Sequence, residues 1–377
     1  YVFVIGRALF SWEPKPFVTV GDETKAKNKS ARLLKDEIFS EHTGLWADLT
    51  ELPRSMFVDF DVSNTENFRN VWFTFNRHNF RGLFAVHSFK KKRPLIVLRM
   101  GVHGNVDELI AERFLARILY NDLNANVLLI ESLSSHAFLM NNQEISVGGV
   151  DEGIQTFLVL NELQKTKFKE LVSSYHLVGI SMGGHGTFVT ALLDENYEKK
   201  LRSIVNFCPL INLKETFEAF GVRKPNLKNA LIDLWNVRRL NAILDIYRND
   251  PKFNYWWNTA LDLKPRFTPS LLDILNRDRK RPLISTLEIE NFIQDIRWPI
   301  GFREHLNSAQ SFYDLVNFWP HFKRVRTPIM IYTTPNDPLV INKFNTDKII
   351  NRTQSGDFSN VKYHELSRGV HCGLASV

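Results

Sequence analysis

The chain has 377 residues, 44% hydrophobic and 24% charged, with a net charge of +7. That balance excludes a disordered chain and leaves room for one large globular domain or a domain carrying an insertion. No apolar run reaches the roughly eighteen residues of a membrane-spanning helix, and the only tight basic runs, Lys90-Lys91-Lys92-Arg93 and Arg277-Asp278-Arg279-Lys280-Arg281, read as solvated loops rather than a nucleic-acid surface.

Residues 1–50 form an N-terminal extension in which no chemistry is evident. Tyr1 to Phe10 is apolar and reads either as an ordinary strand or as residues left beside a removed signal. Cytoplasmic and processed cell-envelope or secreted locations both stay open. A turn at Pro14 and Pro16 precedes a helix expected over Thr24 to Phe39. The core is expected over 51–211 and 323–377. Its first part is β-rich: Met56 to Val62 alternates, and Val71 to Phe75 and Gly82 to His87 are short and aromatic. These read as antiparallel strands.

From Leu95 the pattern changes. Leu95-Ile96-Val97-Leu98, Val127-Leu128-Leu129-Ile130, His176 to Gly179 and Ser203 to Phe207 are apolar on both faces. Helical spacing separates them, over Asp107 to Tyr120, Val150 to Leu163 and 187–195. Two-sided apolar strands alternating with helices mean a parallel sheet in an α/β fold. The alternation stops near Asn212, and 212–322 reads as a large helical lid inserted after the sixth strand. Asn226 to Tyr247 has helical spacing, Ser285 to Glu288 has capping-box spacing, and Tyr255-Trp256-Trp257 is its densest aromatic cluster. Phe302 to Phe318 reads as a helix closed by Trp319-Pro320. The sheet resumes at Ile329 to Tyr332 and Val361 to Leu366. The two cysteines, Cys208 and Cys372, are too few for a disulfide framework and read as buried free thiols.

The chemistry centres on Gly179-Ile180-Ser181-Met182-Gly183. An apolar strand runs into it and a helix follows. Strand and helix then pack so closely that the residues flanking the serine must lack a Cβ, and the serine takes a strained conformation with its hydroxyl outward. A serine needs a base, and the base needs an acid to orient it. Asp337 lies in the turn after the strand ending at Tyr332, and His371 follows the last strand, giving the chain order Ser181, Asp337, His371. His176 and His364 lie inside strands, and His136 precedes the serine. His185 stands too close along the chain to face it. An oxyanion needs two N–H donors. Met182, at the start of a helix, supplies one. The loop Arg99-Met100-Gly101-Val102-His103-Gly104-Asn105 supplies the other, with Val102 favoured and the His103 and Asn105 registers open.

With these motifs, the chain resembles a serine hydrolase of the α/β-hydrolase superfamily, of the esterase and lipase type. The motifs cover about residues 94–211 and 326–377. The resemblance implies a mostly parallel eight-stranded sheet, with Ser181 as nucleophile, His371 as base and Asp337 as orienting acid. It also places a lid where the helical insertion falls. Ser181-Met182-Gly183-Gly184-His185-Gly186 is similar to the elbow of the esterase D group, from which the long insertion sets this chain apart. One departure is that the usual His-Gly after the oxyanion strand is Met100-Gly101 here. The expected reaction is hydrolysis of a small-molecule carboxylic ester with an apolar acyl or alcohol group. Amidase, thioesterase and non-catalytic binding or scaffold roles are the alternatives. No metal, nucleotide or other cofactor pattern is present, and the oligomeric state is not encoded in any motif.

Overall fold

The computed structural model describes residues 68–75, 78–102, 104–106, 110–142, 149–197, 200–216, 299, 301–308, 316–335, 337, 339–366 and 371–372. Among them are eight strands: β1 (Phe68–Phe75), β2 (His78–Ala85), β3 (Arg93–Arg99), β4 (Asn126–Ile130), β5 (Val172–Ile180), β6 (Leu201–Phe207), β7 (Ile329–Thr333) and β8 (Val361–Glu365). They form one sheet in the order β1-β2-β4-β3-β5-β6-β7-β8. β2 is antiparallel to both neighbours, and every other pair is parallel. The expected mostly parallel, eight-stranded α/β sheet is therefore present.

Seven α-helices are described: α1 (Ile110–Asn121), α2 (His136–Asn142), α3 (Val150–Lys165), α4 (Met182–Asp194), α5 (Phe302–Ser308), α6 (Trp319–Phe322) and α7 (Thr346–Gln354). Leu95, Val97 and Leu98 of β3 and all of β4 are buried, as strands covered by helices on both sides must be. At the sheet's edge, β8 buries only Val361. In β1, Val71 and Phe73 turn inward while Trp72 is exposed, the alternation of a strand with one covered face. Lys90, Lys91 and Lys92 lie exposed in the β2–β3 loop, as the sequence suggested.

Two boundaries differ from the sequence reading. α4 begins at Met182, not at Thr187. Gly183, Gly184 and Gly186 have low intrinsic helix propensity and hide the first turn, which tertiary packing imposes. Trp319-Pro320 opens α6 rather than closing a helix, and α5 covers Phe302–Ser308. Proline is tolerated in a first turn because that N–H has no intrahelical partner.

The long insertion leaves the core and returns at one place. Asn212 and Asn317 form an antiparallel bridge, and Phe318 N–H donates to Ile211 O at 3.0 Å. Phe318 and Phe322 pack on Phe188 of α4 with ring centroids 5.7 and 5.1 Å apart. Asn345 pins the exit point. Its Oδ1 accepts the N–H groups of Ile211 and Asn212 at 2.8 and 3.0 Å, and its Nδ2 donates to Thr216 Oγ1 and Ile341 O, both at 2.9 Å. Several expected features lie outside the described residues. They are the extension over 1–50, the Met56 to Val62 strand, the body of the lid over 217–298 including Ser285 to Glu288, and the second basic run. No described helix is long and apolar enough to cross a membrane.

Candidate active site

Ser181 stands between the end of β5 and the first turn of α4, with φ 55° and ψ −117°. A non-glycine residue there is strained and persists only where its surroundings over-determine it. The surroundings here are specific. Ser181 N–H donates to Phe207 O at 2.9 Å, and Ser181 O accepts from Gly184 and Leu210 N–H at 3.0 and 3.1 Å. The flanking glycines are required by space. A Cβ on Gly179 would lie 2.5 Å from Asn206 Oδ1, and one on Gly183 would lie 2.4 Å from the carbonyl oxygens of both Arg99 and Met100.

The C-terminal ends of the parallel strands β7 and β8 deliver the other two predicted groups to this edge. Asp337 is buried and His371 is partly exposed. His371 Nδ1 lies 3.0 Å from both carboxylate oxygens of Asp337. An ionised carboxylate only accepts, so Nδ1 carries the hydrogen. Asp337 is held in turn by the backbone: its Oδ1 accepts from Leu339 and Val340 N–H at 2.9 and 2.8 Å, and its Oδ2 from Cys372 N–H at 3.1 Å. The structure thus brings Asp337 and His371 into contact. Ser181 Oγ and His371 are not hydrogen-bonded to each other. Phe207 O accepts the Ser181 N–H and lies 3.6 Å from Sγ of Cys372, the residue after His371.

A strained serine at the tip of a central strand, in a sheet of this strand order, decides the architecture. The chain has the α/β-hydrolase fold. No protein-family model matches the chain, and no curated protein matches it. Solved structures that resemble it include an esterase from Pyrococcus furiosus, 12% identical, covering 81% of this chain and 84% of that one, with a TM-score of 0.47. An α/β-fold family hydrolase from Bacillus anthracis is 14% identical over 82% of this chain and 95% of that one, with a TM-score of 0.39. Est1E from Butyrivibrio proteoclasticus is 13% identical over 80% of this chain and 90% of that one, with a TM-score of 0.40.

In this α/β-hydrolase fold, Met182 and the Gly101 backbone both adjoin the serine. Met182 opens α4, where a helix leaves its first N–H groups without intrahelical partners. Gly101 lies against the serine, and a Cβ there would meet Ser181 Cβ at 3.3 Å and Oγ at 3.9 Å. Gly101 is therefore close to the hydroxyl, and the N–H of the next residue, Val102, has no hydrogen-bond partner among the described residues. His103 lies outside them. The loop is tied in place by Gly104, whose N–H donates to Gly101 O at 2.9 Å and whose carbonyl accepts from Ser132 N–H at 2.8 Å.

Beneath this loop lies a polar network that sequence reasoning missed. Arg99, the last residue of β3, is fully buried. Its Nη1 donates to Gln155 Oε1 at 2.9 Å, and its Nη2 is 3.4 Å from Glu152 Oε1, also fully buried. Glu152 Oε1 further accepts from Ser132 Oγ at 2.8 Å and Leu133 N–H at 3.1 Å. Burial pushes the Glu152 pKa up and the Arg99 pKa down, and each charge opposes the shift of the other. Glu131, also buried, is pushed up to about 7 by burial against the attraction of Arg81. Arg81 Nη2 donates to Asn105 Oδ1 at 2.9 Å. The available signal was a charged residue ending an apolar strand, at Arg99 after Leu98 and at Glu131 after Ile130.

The cysteines also depart from the sequence reading. Both are buried as expected, yet they are paired rather than free. One donor atom from each of Cys208, Asp337, His371 and Cys372 lies within 4.8 Å of the others. Those residue types suit zinc, but only thiolate sulfur binds it, and a disulfide withdraws two of the four donors.

His185 is not available as a base. It is fully buried, its Nδ1 donates to Leu210 O at 3.2 Å, and burial pushes its pKa down to about 3. His176 is held between Ser174 Oγ and Ser203 Oγ at 2.9 and 2.8 Å. The buried histidines set a pH dependence. The unfolded chain takes up the His185 proton near pH 6.5, whereas the folded chain resists it until about pH 3. Stability therefore falls as pH drops across that window. His321, pushed down to about 4, has the same sign. Glu131 has the opposite sign, its contribution being lost as pH rises through about 7. Unfolding free energies from denaturant titrations between pH 6.5 and 4.5 should fall more steeply for wild type than for His185→Asn, by up to about 1.4 kcal/mol per pH unit. Equal slopes would show that His185 is not held neutral.

Packing at the serine turn gives a second expectation. Gly183→Ala forces the first turn of α4 off the end of β3, an overpacking of about 1–3 kcal/mol or more. It should lower the thermal unfolding midpoint measurably. An unchanged midpoint in this variant would show that the close contact is dispensable.

Proposed function

We propose that the protein is a serine hydrolase that cleaves carboxylic esters through an acyl-enzyme. The observation that carries this reading is the strained Ser181 at a strand end, with the Phe207 carbonyl that takes its N–H also meeting Cys372, next to the His371 that contacts buried Asp337. Ser181 Oγ attacks the ester carbonyl carbon as His371 Nε2 accepts the hydroxyl proton. Asp337 holds the opposite N–H and stabilises the imidazolium. The N–H groups of Met182 and Val102 receive the developing oxyanion. The carbonyl re-forms, the alcohol leaves with the proton from His371, and water repeats the sequence to release the acid. The Ser181–His371 hydrogen bond forms when substrate binds, since such contacts are often long in the free enzyme.

The segment 212–322 serves as a cap on this site. Its described ends meet beside α4, the helix that Ser181 opens. Its sequence is rich in Phe, Trp, Tyr and Leu, which suits an apolar acyl or alcohol group, each buried methylene contributing up to about 0.8 kcal/mol.

A fluorophosphonate probe should label the wild-type chain and not Ser181→Ala. Asp337→Asn should lower kcat by about three to four orders of magnitude. Across p-nitrophenyl acetate, butyrate and octanoate, kcat/KM should rise by roughly tenfold or more, as about 1.4 kcal/mol of added burial would give. Matched anilides and thioesters separate esterase from amidase and thioesterase. Labelling that survives Ser181→Ala would overturn the assignment. A steady decline from acetate would refute the apolar preference alone.

A further inference from the structure

The chain's two cysteines lie 164 residues apart in sequence and meet beside His371. Their Cα atoms are 4.8 Å apart and the sulfurs are joined, within the range of about 4.4–6.8 Å that native disulfides span. Each cysteine adjoins one half of the proposed catalytic centre. Cys208 follows Phe207, whose carbonyl anchors the Ser181 N–H. Cys372 follows His371 and donates its N–H to Asp337 Oδ2 at 3.1 Å. The joined sulfurs lie beside the imidazole, Cys208 Sγ 3.8 Å from Nδ1 and Cys372 Sγ 3.5 Å from Nε2.

A second observation is independent of the pairing. Among the described residues, the non-glycine residues with positive φ are Asn124, Ser181, Cys208 and Cys372, the last three at 55°, 41° and 61°. Three of the four thus surround one point, and strain of this kind collects where a reaction needs fixed geometry. Cys208 is further held by its N–H donating to Tyr332 O at 2.7 Å.

We infer that the Cys208–Cys372 disulfide is a positioning device for the base, which staples the His371 loop to the strand end anchoring Ser181 and makes turnover depend on the redox state of this pair. The inference rests on the proposed hydrolase reading. Among the described residues, the contact that holds His371 apart from the staple is with Asp337. Opening the bond by a dithiol transfers two electrons and two protons. The S–S bond breaks, Cys208 and Cys372 become thiols, and the dithiol becomes its own cyclic disulfide. A low-molecular-weight disulfide such as oxidised glutathione reverses this through a mixed disulfide. The staple persists in an oxidising compartment and opens in a reducing one.

The test uses the full chain purified in air. Non-reducing peptide mapping should find the Cys208 and Cys372 peptides linked. Dithiothreitol, with EDTA present to keep zinc off the freed thiolates, should lower kcat for p-nitrophenyl butyrate at least tenfold with KM within about twofold, since a misplaced base slows chemistry rather than binding. Fluorophosphonate labelling of Ser181 should slow in parallel, and oxidised glutathione should restore both. Cys208→Ser should show the low kcat and no response to dithiothreitol. Circular dichroism tracks the fold throughout. If the single variant does not fold, the Cys208→Ala/Cys372→Ala pair replaces it. Free thiols in the native protein, or an unchanged kcat after complete reduction of an active and folded enzyme, would overturn the inference. A chain that is linked but never labelled and never active would instead show that the hydrolase reading has failed.

Discussion

The structure depends on one contact, the seating of the first turn of α4 on the carbonyl end of β3. Gly183 lies so close to the carbonyls of Arg99 and Met100 that a single added carbon would reach 2.4 Å from both. From that contact the rest follows. The chain must turn sharply between β5 and α4, so Ser181 is forced to positive φ. The same contact sets the end of β3, and with it Gly101, against the serine. The proposed nucleophile and both proposed oxyanion donors therefore depend on one packing constraint rather than on three separate ones.

Holding two backbone segments so close leaves polar groups buried at the strand ends, and these need partners. Arg99, Glu152, Gln155 and Ser132 supply them to one another below the loop, and Arg81, Glu131 and Asn105 do so beside it. A buried ion pair is a poor source of net stability, because desolvation offsets much of its attraction. Its value at this place is directional: Arg99 is the residue before Met100-Gly101, so fixing its side chain fixes where the loop starts. On the other side of the serine, Asp337 accepts three backbone N–H groups besides His371, which sets the carboxylate before it sets the imidazole.

Local signals made the sheet legible in sequence and pointed to Ser181, Asp337 and His371 as candidates. Leu95 to Leu98 and Val127 to Ile130 are apolar on both faces and could only be covered strands, and Gly179 and Gly183 announced a turn with no room for side chains. Asp337 and His371 each stood just past a strand. Other features had no local signal. The pairing of Cys208 with Cys372 depends on two distant loops converging, which spacing cannot reveal. The Arg99–Glu152 pairing had no local signal because the two partners are far apart along the chain. The first turn of α4 is glycine-rich, so propensity argued against the helix that packing enforces. The Asn212–Asn317 bridge joins segments whose meeting only the fold determines.

The central claim is that the strained Ser181 is the reacting atom's anchor and that the two N–H groups beside it receive the oxyanion. A crystal structure of the chain inactivated by a dialkyl fluorophosphonate tests it most directly. The account predicts phosphorus bonded to Ser181 Oγ, the phosphoryl oxygen about 3 Å from both Met182 N and Val102 N, and His371 Nε2 turned toward the bound oxygen. Phosphorus on another residue, or a phosphoryl oxygen directed to solvent with neither N–H in reach, would contradict it.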